Sequence, residues 1–75
     1  MNNTHYALIN EDNDVVAVIK NKLFKYRLIE AIQDETDNEI LSIHVEEIDY
    51  NNYKVNAELK DGFKYVATLR PTWEY

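Results

Sequence analysis

The sequence predicts an α+β domain, an antiparallel sheet with one helix packed on one face in the order ββαβββ, and three observations predict it. Three later segments alternate apolar and polar residues with period two, and two earlier ones are β-branched, aromatic or apolar almost throughout. One segment between the second and third instead repeats its apolar residues at i, i+4, i+7 and i+8. The breaks between segments are rich in Asn, Asp and Glu, with the single glycine in the last of them.

The first two segments, His5 to Asn10 and Val15 to Ile19, flank Glu11-Asp12-Asn13-Asp14, which has turn chemistry. A three-residue loop of Glu11, Asp12 and Asn13 with Asn13 left-handed makes them a hairpin. That loop sets Leu8 opposite Val16, Tyr6 opposite Val18, Ile9 opposite Val15 and Ala7 opposite Ala17. Both faces of the pair are then apolar, which fits a central pair covered on both sides or a face held for a partner.

After Asn21, a fair N-cap, the residues Phe24, Leu28, Ala31 and Ile32 form one stripe of a helix running to about Glu35, with Lys22, Tyr26, Glu30 and Gln33 on the other side. Its charges run against the helix dipole. Lys22, Lys25 and Arg27 crowd the positive end and Asp34 and Glu35 the negative one, so tertiary contacts or a partner must offset the arrangement.

From Ile40 to Asp49, Leu41, Ile43 and Val45 share a face, whereas Ile48 and Tyr50 have the opposite parity. One extra residue at Glu46-Glu47, a β-bulge, restores them to that face. A two-residue turn within Tyr50-Asn51-Asn52-Tyr53 leads into Tyr53, Val55, Ala57 and Leu59 on the same side. A three-residue loop of Lys60, Asp61 and left-handed Gly62 then pairs Leu59 with Phe63 and Ala57 with Tyr65, and carries Leu69 inward. Pro71 ends the ladder because it has no N–H to donate.

The chain of 75 residues makes one domain, residues 1–75, with residues 72–75 as a short tail. Fourteen acidic residues against eight basic ones give a charge of -6, which repels polyphosphate and anionic lipid. Lys20, Lys22, Lys25 and Arg27 cluster, but without the Gly-rich or aromatic-basic interleaving of RNA-binding motifs. With no cysteine there is neither a disulfide nor a thiolate zinc site. Met1-Asn2-Asn3-Thr4-His5 lacks the features of a signal peptide, and the longest apolar run, Val15 to Ile19, is too short to span a bilayer. We expect a soluble cytoplasmic protein.

Register places Asp49 opposite Lys54, Glu58 opposite Lys64 and His44 near Glu58, the charge pairs of a solvated face. Ser42, His44 and Glu58 have the residue types of a hydrolytic site, but an exposed sheet supplies no oxyanion donors and excludes no water. His44 with Glu46 is too few ligands for zinc, and Glu11, Asp12 and Asp14 lack the spacing of a calcium loop. We expect no enzyme and no cofactor.

Glu11, Asp12, Asp14, Asp34, Glu35, Asp37, Glu39, Glu46 and Glu47 form one negative surface if the helix end lies near the first hairpin turn. Such a surface can fill the basic groove of a nucleic-acid-binding enzyme by imitating phosphates. Trp73 and Tyr75 lie beyond Pro71, either as further contact residues or folded back over the sheet. The functional expectation is an acidic protein-binding domain, with such an enzyme as partner and its inhibition as the outcome. The alternative is a homodimeric structural module associating through the second face of the first hairpin with Val66 or Trp73.

The helix and three meandering strands, with Lys60-Asp61-Gly62-Phe63 at a hairpin, are similar to the helix-plus-sheet of PepSY-type domains. The likeness covers the second half of the chain, and Pro71-Thr72-Trp73 stands where those domains carry a glycine-containing segment. Small size, acidity and richness in Asn, Ile and Lys also resemble accessory proteins of phages and mobile elements.

Overall fold

In a computed structural model that describes residues 5–20 and 24–72, strands β1 (His5–Asn10) and β2 (Val15–Lys20) precede helix α1 (Phe24–Thr36), and β3 (Ile40–Asp49), β4 (Asn52–Leu59) and β5 (Lys64–Pro71) follow it. All pairings are antiparallel and the sheet order is β2-β1-β5-β4-β3. The last strand therefore enters beside the first, and β2 and β3 are the edges. Asn21, Lys22, Trp73 and Tyr75 lie outside the described residues, as does the side chain of Phe24.

The helix lies on the face that carries Tyr6, Leu8, Ile19, Val55, Ala57, Ala67 and Leu69, and presses Leu28 and Ile32 into it. Leu8, Leu28, Ile32, Val55 and Leu69 are fully buried. Burying one such side chain contributes about 1.5–3 kcal/mol, so this single layer holds most of the driving force for folding. Tyr6 and Tyr53 close its lower end in an edge-to-face contact with centroids 5.8 Å apart.

The turns follow from a few residues. Asn13 is left-handed (φ 69°), and the Asn10–Asp14 and Asn10–Asn13 backbone bonds, each 3.0 Å, close the loop Glu11-Asp12-Asn13 as expected. Gly62 is left-handed (φ 95°) in the loop Lys60-Asp61-Gly62, and Ala57 pairs with Tyr65 and Glu58 with Lys64 as expected. Thr36 donates to the Ile32 carbonyl at 2.7 Å, and Asp37, left-handed at φ 54°, turns the chain out of the helix.

Four features depart from the sequence expectation. In the first hairpin only Ile9–Val15 pairs as expected; a bulge at Val16 then sets Leu8 opposite Ala17, Ala7 opposite Val18 and Tyr6 opposite Ile19. The shift puts the larger Ile19 under the helix and leaves Val18 57 % exposed on the other face. In β3 the register slips at Leu41, which is 63 % exposed, because the short link from Asp37 delivers Ile40 directly opposite Leu59. The Ile40 N–H is held there by Gln33 of the helix at 3.2 Å.

The second bulge of β3 falls at Ile48 rather than at Glu46-Glu47, which keep regular places opposite Lys54 and Tyr53. The turn closes one residue early, around Tyr50 and left-handed Asn51 (φ 60°), so that Asp49 faces Asn52 and not Lys54. Ile48 and Tyr50 consequently stand outside the core, 56 % and 79 % exposed. Phe63 lies across from Leu59 as expected, with the Leu59 N–H donating to its carbonyl at 2.9 Å, but its ring is 69 % exposed. Leu59 in the same row is buried, so the row is covered at β4 and open only at Phe63, the residue before β5.

Candidate functional site

Asn10, the last residue of β1, organises one end of the molecule. Its side-chain oxygen accepts the N–H groups of Asp12 at 2.9 Å and Asp14 at 3.0 Å, an Asx turn that stiffens the acidic loop. Its Nδ2 donates to Glu35 Oε2 at 2.9 Å, and the Tyr65 hydroxyl of β5 donates to Glu35 Oε1. A carboxylate at the negative end of a helix is unfavourable by itself. Here two donors from the sheet offset it, and the helix end is tied to the first hairpin.

Burial, then the hydrogen bond to Glu35 and the charges of Glu35 and Glu11, push the Tyr65 phenol well above its usual range. Burial, followed by the charge and hydrogen bond of Tyr53, likewise raises Tyr6 at the other end of the sheet. Both phenols stay protonated and can donate at neutral pH.

A second tie extends the same end. The backbone N–H of Lys60 donates to the Glu39 carbonyl at 2.8 Å, the Lys60 ammonium sits 3.7 Å from the Glu39 carboxylate, and Asn38 donates to Asp61. Asp61 in turn accepts the Phe63 N–H at 3.1 Å. The loop after the helix and the last hairpin thus form one ledge, with an exposed aromatic ring on it.

Of the carboxylates singled out from sequence, Glu11, Asp12, Asp14, Asp34, Glu35, Asp37 and Glu39 all lie exposed at this end. Glu46 and Glu47 do not join them. They stand on edge strand β3, three strand positions from β1 and so about 14 Å to the side, with Glu46 opposite Lys54 and Glu47 opposite Tyr53. Sequence reasoning missed Asn10, Asp61 and Phe63. The position of an Asn directly before Glu11-Asp12 is an Asx-turn signal, whereas nothing in the alternation separates exposed Phe63 from its buried partner Leu59.

The other candidates are neighbours on exposed strand positions, with no cleft around them among the described residues. Ser42 is opposite Glu58 and His44 opposite Asn56, and Ser42, His44 and Glu58 all face solvent. Among the described residues no group of three or more His, Asp or Glu side chains is placed to hold a metal ion. No helix among them is long and apolar enough to cross a membrane.

No family model matches the sequence, and no curated protein or solved structure matches it either, so the likeness to PepSY-type domains gains no support from these comparisons.

Proposed function

We propose that this chain is a non-enzymatic, cytoplasmic protein-binding domain whose acidic end occupies a basic site on its partner. The best-fitting partner is a nucleic-acid-binding enzyme whose phosphate track the carboxylates imitate, the mode of action of an inhibitor carried by a phage or mobile element. The observation that supports this reading is the Asn10 bridge, which fixes the acidic hairpin turn and the acidic end of α1 together. A preset anionic surface spends less ordering entropy on binding than mobile carboxylates would, and it speeds encounter with a basic site. Phe63, exposed beside Asp61, offers the rigid apolar anchor that a protein interface needs and a purely electrostatic one lacks.

The test is capture of partners on immobilised protein at low and high salt, beside a variant carrying Glu11→Gln, Asp12→Asn, Asp34→Asn and Asp37→Asn. A discrete partner that is lost at high salt, and lost with the neutralised variant, supports the reading. Capture insensitive to both salt and neutralisation refutes it.

A further inference from the structure

The two edges of the sheet are guarded differently. β3 carries register slips at Leu41 and Ile48 and the charges of Glu46, Glu47 and Asp49, the devices by which natural sheets turn away additional strands. β2 reads Val-Val-Ala-Val-Ile-Lys. Its one irregularity, at Val16, adjoins the turn, and from Ala17 to Lys20 its pairing with β1 is regular. It has no proline and a single charge.

Of the five strands, β2 is the one the helix packs closest to, with Ile19 buried beneath it. Beside that contact an open groove of about 760 Å³ runs along the edge, lined by the whole of β2 and by Arg27, Glu30, Ala31, Asp34 and Glu35 of the helix. Charge is polarised along it: Lys20 stands at one end, beside an Arg27 already paired with Glu30 at 2.9 Å, and Asp14, Asp34 and Glu35 stand at the other. A strand entering here would form backbone hydrogen bonds to β2 over about 20 Å and would need opposite charges at its two ends.

We propose that the entering strand is β2 of a second copy, paired antiparallel about a two-fold axis near Ala17 and Val18 so that two sheets become one of ten strands. β2 has the required properties itself: it is extended, β-branched and exposed, with Val18 pointing away from the helix. Antiparallel self-pairing sets the Lys20 end of each copy against the Asp14 end of the other, and the two-fold symmetry repeats the match. This contact uses the edge of the first hairpin, not its second face. Six residues a side bury less than the roughly 1,200 Å² of a standard interface, so the dimer dissociates on dilution.

Sedimentation equilibrium over a dilution series, with urea unfolding as a control for the fold, tests the pairing. The wild-type chain should pass from monomer to dimer as concentration rises, with concentration-dependent protection of the Ala17–Ile19 amides in hydrogen exchange. Asp14→Lys and Lys20→Glu should each weaken association at least ~10-fold, and the double variant should recover most of the loss. Val18→Lys, which brings two like charges together near the axis, should abolish dimerisation while leaving the monomer folded. A species that stays monomeric up to ~1 mM overturns the proposal. So does stronger association of Asp14→Lys, because that result would mean net charge alone controls self-association, and so does a dimer whose β2 amides gain no protection.

Discussion

The Tyr65–Glu35–Asn10 bridge can be dissected with a double-mutant cycle of Tyr65→Phe and Glu35→Ala. A hydrogen bond to a charged acceptor contributes about 1.5–3 kcal/mol, and because Glu35 is solvent-exposed the lower end applies, about 1–1.5 kcal/mol for the Tyr65 bond. Glu35→Ala loses that bond and the one from Asn10, but relieves an unfavourable helix-end charge of about 0.3–1 kcal/mol. The cycle cancels the helix-end contribution, so the coupling between the two sites should be about 1 kcal/mol. Urea unfolding at pH 7 measures it, with an unchanged m-value showing that the denatured state is unaltered. In a chain of this size the corresponding loss in Tm is roughly 4–8 °C.

The same bridge predicts an alkaline limb. The folded state holds Tyr65 protonated above the pH at which the unfolded chain releases that proton, so the native state binds more protons there. The stabilisation is full below the ordinary tyrosine value of 10.0 and is lost as pH climbs above it toward the raised folded value. Each phenol held protonated contributes a slope of about 1.4 kcal/mol per pH unit. Tyr6 shifts in the same direction, so Tyr65→Phe should lower the alkaline slope without removing it. A coupling below ~0.3 kcal/mol, or an alkaline slope that Tyr65→Phe does not change, would show that the bridge does not organise this end of the molecule.

Two further outcomes check the fold. Leu28→Ala removes a fully buried side chain and should cost about 2–5 kcal/mol, while Ile48→Ala, outside the core at its bulge, should cost less than ~0.5 kcal/mol; equal losses in urea unfolding would restore the inward placement of Ile48. Gly62→Ala should cost about 1 kcal/mol through backbone strain alone, because nothing lies within 4 Å of the added methyl, and Gly62→Asn should recover part of it; a neutral Gly62→Ala would mean the loop can relax.

How much of the fold was legible depended on whether one-residue slips had visible consequences. Around Gly62 they did: only a three-residue loop keeps Ala57 and Tyr65 on one face, and one glycine was available for the left-handed position. In the first hairpin they did not. Ala7, Ile9, Val15 and Val18 are as apolar as Tyr6, Leu8, Ala17 and Ile19, so period-two alternation carries no information about register, and the extra residue at Val16 is invisible. Near Ile48 parity demanded an adjustment without fixing its place, and the regular register of Glu46 and Glu47 leaves it next to the turn.

Phe63 failed for a different reason. Its face was read correctly, but burial needs a cover as well as a face. The row it shares with Leu59 and Ile40 is covered at those two residues and open at Phe63, which stands in the loop just before β5 begins. Periodicity in the strands does not encode which member of a row lies under cover. The ring that sequence reasoning placed in the core is for that reason the apolar feature of the proposed binding end.

Composition announced the acidic surface, but adjacency had to come from a residue that carries no charge. Asn10 joins loop and helix because its amide both accepts and donates, which neither an aspartate nor an alkyl side chain would do at that position. The bridge also makes Asp14 a member of two surfaces at once: it stands in the acidic end and lines the groove beside β2. Asp12 belongs to the first alone. Partner capture and self-pairing therefore compete for Asp14 and are separable at Asp12, so Asp12→Asn should weaken salt-sensitive capture with no change in the monomer–dimer equilibrium. If Asp12→Asn shifts both, the acidic end and the β2 edge act as one interface, and a two-fold pairing confined to the strand edge is the wrong geometry.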